Sequence, residues 1–280
     1  MHSKISSLFV SVLLTAVMAD SMNGQQNLPP GNKAPTSKIY FSEAEGESAI
    51  VSHGVTYTGQ QAKSFEAPGT VIETKAKAHD AFVYSNGTGI VMEQNSRLQV
   101  DHFTQERFQS NSPTRTNPEI EPSISHSEVR LTQGAIGICT NQLAAGTTMV
   151  YSTPLAEVRI RHGRLSIETS ADETIVDLLE GDVTVSIGAQ PKQAQVLHPG
   201  DRAIIHAAKD GQAATITITP TPKDSLQALD ERTTIACNAK QTVFFDANDA
   251  ADQEITPNPA VPAQLPNNIT VSPDRLTGTP

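Results

Sequence analysis

A chain of 280 residues, 37% of them hydrophobic, is long enough to bury the core of one large domain or two small ones. The formal charge of −10 argues against nucleic acid or an anionic membrane surface as a partner, because the long-range field would repel both. Aromatic residues make up only 4% of the chain and tryptophan is absent, so the aromatic platforms typical of sugar-binding sites are in short supply.

The first 19 residues have the pattern of an export signal. Lys4 gives a positive start, an apolar stretch follows over 5–19, and the small residues Val17 and Ala19 predict cleavage after Ala19. A membrane anchor is the alternative, but the apolar run is shorter than the roughly 20 residues that a span needs. We therefore expect an exported protein, periplasmic or extracellular, with no stable membrane insertion after the signal peptide is removed.

The next part of the chain alternates between polar segments and predicted strands. Residues 20–38 hold almost no large apolar side chain and are expected to form a flexible leader. Residues 39–108 alternate apolar and polar positions between glycine, asparagine and proline, which predicts an N-terminal β-rich part. Asn86-Gly87 within it favours the tight turn of a β-hairpin. Residues 109–125 are poor in apolar side chains and carry proline, as is typical of a surface loop.

A second β-rich region is predicted over 126–220, where apolar runs recur at spacings of about 8–12 residues. Glycines interrupt these runs, and we predict structural turns at Gly163, Gly181 and Gly200 because glycine adopts turn conformations at little cost. Three arginines in this region are expected to make surface ion pairs rather than an anion site: Arg159, Arg161 and Arg164. The rhythm of short strands predicts an all-β fold.

The pattern changes after the last predicted strand. Residues 221–250 form a helical segment in which Pro222 suits a helix start and apolar residues recur every three to four positions, predicting one amphipathic helix near 223–238. Residues 251–280 contain six prolines and are expected to be a disordered, proline-rich tail.

Export makes a disulfide between the two cysteines, Cys139 and Cys237, possible. In an oxidising compartment they could form a disulfide, and closing so long a loop would contribute on the order of 4–5 kcal/mol to stability. Two small buried thiols are an equally open interpretation. Neither cysteine has a CxxC neighbour, so redox catalysis is not expected.

An enzyme would show nucleophiles, acids or bases in an arrangement that could converge. The nearest approach is Glu180 and Asp182, which flank Gly181 between two apolar runs. A catalytic carboxylate pair needs a pocket that moves the two pKa values apart, and no local feature supplies one. We interpret these acids as polar residues at a corner between strands, and we predict no catalytic residue and no cofactor.

No metal site is predicted either. Residues 246–254 offer oxygen donors but lack the glycine and terminal acid of a calcium loop. His198 and His206 could approach across a Pro-Gly turn, but a metal site there is not expected. The segments 86–88 and 268–270 match the glycosylation sequon, a short pattern with many false matches.

The order of these elements resembles the FecR family, whose best-known members relay signals of iron-siderophore uptake. A strand, Glu-Gly and a Val-x-Val strand follow one another in 176–185, and a Leu-x-x-Gly-Asp turn precedes the closing strand in 196–205. Further similar stretches are 69–108, 127–136 and 149–168, so the resemblance covers roughly 48–208. It implies an all-β domain, a β-solenoid-like or sandwich arrangement of short strands, and no catalytic residues.

The chain also departs from the family pattern. Signalling FecR proteins place a cytoplasmic anti-sigma segment and a transmembrane helix before this domain, whereas the first 19 residues here read as a signal peptide. Related secreted proteins often continue from Thr-Pro into Gly-Ile-Arg-Gly-Thr, where this chain has Leu-Ala-Glu-Val-Arg at 155–159.

Together these features predict an exported, non-enzymatic FecR-like protein. We expect it to act through contacts with an unidentified envelope or extracellular protein, in signal sensing or envelope organisation. The alternative function is a polysaccharide- or surface-polymer-binding module that uses Tyr57, Tyr84 or Tyr151. A third hypothesis is a hydrolase that uses Glu180 and Asp182.

Overall fold

The structure is a computed structural model that describes residues 37–58, 64–106, 120–188, 194–209, 213–245 and 269–271, which belong to one unit of the chain. The predicted signal peptide and most of the predicted leader lie outside these residues. So do the centre of the predicted surface loop and nearly all of the predicted tail.

Short strands dominate the described residues, and a single helix follows most of them. The strands are β1 Lys38–Glu45, β2 Ser48–Ser52, β3 Val55–Thr58, β4 Ser64–Glu66, β5 Val71–Thr74, β6 His79–Tyr84, β7 Gly89–Met92, β8 Arg97–Gln105, β9 Ser125–Cys139, β10 Thr148–Ser152, β11 Ala156–Thr169, β12 Glu173–Ile187, β13 Gln195–Leu197, β14 Asp201–His206, β15 Thr215–Pro220, β16 Val243–Phe245 and β17 Ile269–Val271. The helix is α1 Leu226–Thr242. This confirms the all-β fold with one C-terminal helix, which begins and ends a few residues later than predicted.

Three long strands organise the sheet, and each changes its neighbours part-way along. Before Gly134, β9 pairs with β8 and, in parallel, with β10; after Gly134 it pairs with β7 and β11. On one side of Gly163, β11 pairs with β10, and on the other side it pairs with β9. Before Gly181, β12 pairs with β14, and after Gly181 it pairs with β13. Each of these three strands therefore connects different neighbours in the two parts of its length.

The strands share one apolar core. It contains Leu98 and Val100 of β8 together with Ile136 and Ile138 of β9 and Ile167 of β11, all fully buried. Alternate residues of each strand point inward, so every second position supplies an apolar side chain. The described strands up to β15 form one open mixed sheet, which agrees with the predicted all-β fold of short strands.

Two of the three predicted turns are wrong. Gly163 lies inside β11 and Gly181 lies inside β12, where the two residues are paired with each other. The ladder shifts register on both sides of this pair, which is the sign of β-bulges. The turn prediction failed because a β-bulge favours the same glycine and polar residues as a turn. Gly200 does lie in a turn, between β13 and β14, closed by Asp201 N donating to His198 O at 2.9 Å.

The hairpin predicted at Asn86-Gly87 is confirmed. It joins β6 to β7, and Gly87 has a φ of 86°, a conformation that glycine adopts readily. The loop predicted at 109–125 lies between the two β-rich regions, and most of it is outside the described residues. Strand β9 begins at its last residue, Ser125, and pairs with β7 and β8 as well as with β10 and β11, so the strands of both β-rich regions belong to one sheet.

Candidate functional site

Helix α1 lies against the outer face of β7 and β9, where two glycines permit close approach. A Cβ atom on Gly89 would lie 2.0 Å from the carbonyl oxygen of Ala236, and a Cβ on Gly137 would lie 2.8 Å from Arg232 Cγ. Ala236 is fully buried against Val91 of β7. The helix backbone can therefore sit directly on the sheet only because both positions lack a side chain.

A disulfide joins the helix to the sheet. Cys139 at the end of β9 and Cys237 in α1 are bonded, with their Cα atoms 5.1 Å apart and a separation of 98 positions in sequence. The sequence left open whether these cysteines form a disulfide or remain two buried thiols, and in the structure they form a disulfide. The bond fixes the middle of α1 at the place where β9 leaves the sheet.

Arg232 adds a polar contact beneath the helix. Its Nε donates to Glu93 Oε1 at 3.0 Å, and its Nη1 donates to Ser166 Oγ at 2.7 Å. The guanidinium is mostly buried, with 17% of the side chain exposed. It therefore connects α1 to β11 and to the end of β7.

Arg164 of β11 makes the reverse connection, from the sheet to the helix. Its Nη2 donates to Asp230 Oδ1 at 2.7 Å and to Thr233 Oγ1 at 3.1 Å, and its Nη1 donates to Glu180 Oε1 at 3.3 Å. The prediction that Arg164 makes ion pairs rather than an anion site agrees with these contacts. The Nε of Arg164 is buried and has no hydrogen-bond partner among the described residues.

The glycine pair in β11 and β12 lies next to Arg164. Here the strands approach so closely that a Cβ on Gly163 would lie 2.3 Å from Glu180 O, and a Cβ on Gly181 would lie 2.1 Å from His162 O. Thr140 closes the other side: its N donates to Gly163 O, and its Oγ1 accepts from Gly163 N, both at 2.9 Å. The bend is thus held from both sides.

A depression of about 390 Å³ opens at this bend, between the sheet and the end of α1. Its lining residues are 139–142, 162–164, Glu180, Gly181 and Lys240. Its volume falls at the lower end of the range for small-molecule sites.

Two of the lining side chains are polar and at least partly buried. Asn141 is 3% exposed, and neither its Oδ1 nor its Nδ2 has a hydrogen-bond partner within the described ranges. Burial lowers the pKa of Lys240. Buried polar groups usually have partners, so the amide of Asn141 is an exception; it lies on the side of Gly87, whose Cβ would be 2.8 Å from Asn141 Nδ2.

Comparison with known proteins gives one family match. Residues 70–184 match the family model described as FecR protein. This part of the chain is similar to that family. No curated protein matches the chain.

Two solved structures are similar to this chain. Both are crystal structures of a provisionally named anti-sigma factor from Parabacteroides distasonis ATCC 8503, each with 16% sequence identity. In one, the similarity covers 64% of this chain and 78% of the other, with a TM-score of 0.37. In the second, it covers 66% and 81%, with a TM-score of 0.38.

The candidate site combines residues inside the FecR match with residues beyond it. The family match ends at residue 184, so α1, Cys237 and Lys240 all follow it. Residues 139–142, 162–164, Glu180 and Gly181 lie inside the match. The depression therefore lies where the C-terminal helix meets the region that matches the FecR model.

The two acids singled out in the sequence are separated in the structure. Glu180 borders the depression and is 66% exposed, with an ion pair to Arg164. Asp182 is paired along the ladder with His162 and does not line the depression. The structure therefore brings one of the two carboxylates to the candidate site.

The two histidines considered as a metal pair contact different acids. His198 Nδ1 lies 3.4 Å from Asp201 Oδ2, and His206 Nδ1 lies 3.4 Å from Glu173 Oε2. The segment 246–254, considered for calcium, lies outside the described residues.

Two of the three tyrosines considered for sugar binding are in the core. Tyr84 and Tyr151 are each 1% exposed, and Tyr57 packs against the same apolar cluster. The glycosylation sequon at Asn86 is buried, because Asn86 is also 1% exposed. The sequon at 268–270 begins outside the described residues.

A separate group of donors lies at the far end of β1 and β6. His79 Nε2 is 3.7 Å from Glu43 Oε1, and His79 Nδ1 is 3.4 Å from Glu45 Oε2. One imidazole and two carboxylates could hold a divalent metal, but both glutamates are exposed, as acidic groups without a metal often are. Nothing else in the structure favours a metal there.

Sequence reasoning missed Asn141 and Lys240. They are 99 positions apart, and only the packing of α1 on β9 brings them to one depression. The cysteine pair was the available signal, because a disulfide between 139 and 237 places the neighbours of both cysteines together.

Proposed function

We propose that this FecR-domain protein is exported and non-enzymatic, and that it acts through protein contacts in the cell envelope or outside the cell. Its role would be signal sensing or envelope organisation. The expected partner is an envelope or extracellular protein, not nucleic acid. Among the described residues, no helix combines the length and hydropathy needed to cross a membrane.

The disulfide between Cys139 and Cys237 is the observation that carries the proposal. It ties the FecR domain to α1 and uses both cysteines of the chain. Disulfides form and persist in the periplasm and outside the cell, whereas the cytosol keeps thiols reduced. The signal-like pattern of residues 1–19 points to the same compartment independently.

The contents of the depression support a role without catalysis. It holds one exposed carboxylate, Glu180, which is already paired with Arg164. General acid–base catalysis by two carboxylates needs a second acid in reach of the same substrate, and Asp182 does not line this depression. A hydrolase based on these acids therefore gains no support from the geometry.

The edge of the sheet supports action through protein contacts. Strand β15 ends the strand order and pairs only with β14 among the described strands. Ile218 in this strand is 38% exposed. An extended segment of a partner could add to such an edge through main-chain hydrogen bonds.

Localisation tests the proposal directly. The full chain and a matched variant without residues 2–19 would be expressed in a Gram-negative host and separated into cytosol, envelope and periplasm. We expect the full chain in the periplasm or the medium and the shortened chain in the cytosol. Equal cytosolic retention of both chains would contradict export.

The partner can then be sought under the conditions in which the protein works. The mature chain from residue 20 would be used to capture proteins from the envelope fraction, with an Ile218→Lys variant as a comparison. A named partner that binds the mature chain and is lost or weakened with the variant would support protein contacts through β15. Retained binding would assign the contact to another surface.

A further inference from the structure

We propose that strand β15 pairs with β15 of a second copy of this chain, so that two copies join their sheets across a two-fold axis at Thr217. The inference rests on the proposed protein contact through β15, and it names the partner at that edge. Its starting point is the sequence Thr-Ile-Thr-Ile-Thr at 215–219, which reads the same in both directions. A strand with such a sequence is complementary to an antiparallel copy of itself.

The outer edge of β15 presents the backbone groups of its two isoleucines. Thr221 N donates to Gly200 O at 2.8 Å, and this pair continues the register of β14 with β15. Hydrogen-bonded and non-hydrogen-bonded pairs alternate along an antiparallel ladder. Ile216 and Ile218 therefore fall in non-hydrogen-bonded pairs, and their N–H and C=O groups point away from β14. Pro220 falls in the same class of pair, as a residue without an N–H should.

The side chains of these isoleucines lie on the core side of the sheet. In the ladder, Ile216 lies opposite Ile205, which is fully buried. Ile218 lies opposite Ala203, which is also fully buried. Directly opposite side chains share one face of a sheet, so both isoleucines face the core. Ile216 packs against the core, whereas Ile218 is 38% exposed, so the apolar face is left partly uncovered at this edge.

A second copy of β15 would satisfy both the backbone and the side chains. In an antiparallel pair centred on Thr217, Ile216 of each copy lies opposite Ile218 of the other, and the two exchange both of their backbone hydrogen bonds. The same register places Thr217 against Thr217 and Thr215 against Thr219, and opposite threonines stabilise a pair of strands. A shift of one residue would place each isoleucine against a threonine, on the wrong face.

The length and charge of β15 distinguish it from the other edges of the large sheet. The other strands with a single partner among the described residues, β3, β4 and β13, are three or four residues long, whereas β15 has six. Soluble proteins usually protect edges with short strands, charged side chains, bulges or proline. β15 has no charged side chain and no register shift, and its proline is the last residue. No like charges would therefore meet when two copies pair.

Sedimentation equilibrium of the mature, disulfide-bonded chain from residue 20 tests the assembly. We expect a monomer–dimer equilibrium with a dissociation constant in the micromolar range, because one short strand per copy makes a small interface. Ile218→Lys should weaken the dimer by at least about tenfold, because it places a charge at the centre of the apolar contact. Val196→Lys is the matched control, since Val196 is 55% exposed but lies in β13.

A cross-link tests the register. Both native cysteines are bonded to each other, so Thr217→Cys adds a single free thiol to each copy. In the proposed register this position faces itself in a non-hydrogen-bonded pair, whose Cα atoms are about 4.5 Å apart and within reach of a disulfide. Diamide, which takes up the two thiol hydrogens, should therefore convert Thr217→Cys into a covalent dimer. Thr215→Cys should react much more slowly, because Thr215 faces Thr219 of the other copy.

Two results would overturn the second copy as the partner. One is a folded wild-type chain that stays monomeric up to about 1 mM, and the other is equal dimerisation of Ile218→Lys and Val196→Lys, with circular dichroism showing that both are folded. Cross-linking of Thr215→Cys as fast as Thr217→Cys would overturn the register. The proposed function fails separately. A monomeric chain that still captures an envelope protein through Ile218 would keep the protein contact, and localisation tests export on its own.

Discussion

Gly163 of β11 lies directly opposite Gly181 of β12, and neither position has room for a side chain. A Cβ atom on Gly163 would lie 2.3 Å from Glu180 O, and one on Gly181 would lie 2.1 Å from His162 O. Both backbones have positive φ, 152° and 113°. The ladder between the two long strands shifts register on both sides of this contact, so both strands are irregular at the same place.

Replacing Gly181 by alanine should destabilise the protein more than a glycine in an open turn would. The new Cβ would meet both a positive φ and the backbone of β11, so we expect a loss of more than about 3 kcal/mol in the free energy of unfolding. Gly200→Ala is the matched control: its φ is 91°, but no atom lies within 4 Å of the new Cβ. It should cost only about 1–2 kcal/mol.

Urea unfolding of the two variants measures this difference. Equal losses would show that the positive φ alone sets the cost at Gly181. They would contradict a close contact between the two strands at the bend.

Removing the disulfide should weaken the whole fold. In the chain-entropy model, a bond between residues 98 apart contributes about 4–5 kcal/mol. The free energy of unfolding of Cys139→Ser/Cys237→Ser should therefore be lower by that amount, and its midpoint should fall at a lower urea concentration. Reductant should destabilise the wild type in the same way and leave the double variant unchanged. Equal sensitivity of both proteins to reductant would contradict the bond.

Asp177 and Arg202 form the most buried ion pair among the described residues for which exposures are known. Arg202 Nε donates to Asp177 Oδ1 at 2.7 Å, and Arg202 Nη2 donates to Asp177 Oδ2 at 3.0 Å. The side chain of Arg202 is 15% exposed and that of Asp177 is 4% exposed. Asp177→Asn should cost about 3–5 kcal/mol, because it leaves a buried charge without a partner. Arg159→Met, at an exposed pair with Glu157, should cost less than about 1 kcal/mol.

A double-mutant cycle separates the pair from its surroundings. Asp177→Asn/Arg202→Met should be less destabilised than the sum of the two single variants, by at least about 1 kcal/mol. Strict additivity would show that the two side chains do not interact.

Asp80 should make stability depend on pH. The side chain is fully buried, and this burial raises its pKa from 3.8 to about 6. Between about pH 4 and pH 6 the folded state therefore binds more protons than the unfolded state, so the free energy of unfolding falls as pH rises. The loss at neutral pH relative to acid is about 3 kcal/mol.

Asp80→Asn should remove this dependence. From about pH 4 to pH 7, the free energy of unfolding of the variant should rise relative to that of the wild type. Other carboxylates titrate equally in both proteins, so the difference isolates Asp80. A difference that stays constant across this range would contradict the raised pKa.

Local features of the fold could be predicted from the sequence. The turn at Asn86-Gly87 and the alternation of the strands depend on neighbouring residues, so the sequence contains enough information for them. The role of Gly163 and Gly181 could not be decided in this way. A turn and a bulge favour the same residues, and only the pairing of β11 with β12 over its whole length distinguishes them.

The candidate site depends on contacts that are distant in sequence. Asn141 follows a strand and Lys240 lies in a helix, and neither has a neighbour that marks it as functional. The fit of α1 on Gly89 and Gly137 brings them together. Of these distant contacts, the one that the sequence suggested was the possible bond between Cys139 and Cys237.

The most direct test of the central claim is the intact mass of the natural full-length chain after secretion and alkylation without reductant. An exported protein with its helix bonded to the FecR domain should begin at Asp20, carry no alkyl group, and be lighter by the two hydrogens lost in a disulfide. A chain recovered from the cytosol that begins at Met1 and carries alkyl groups on both Cys139 and Cys237 would contradict it.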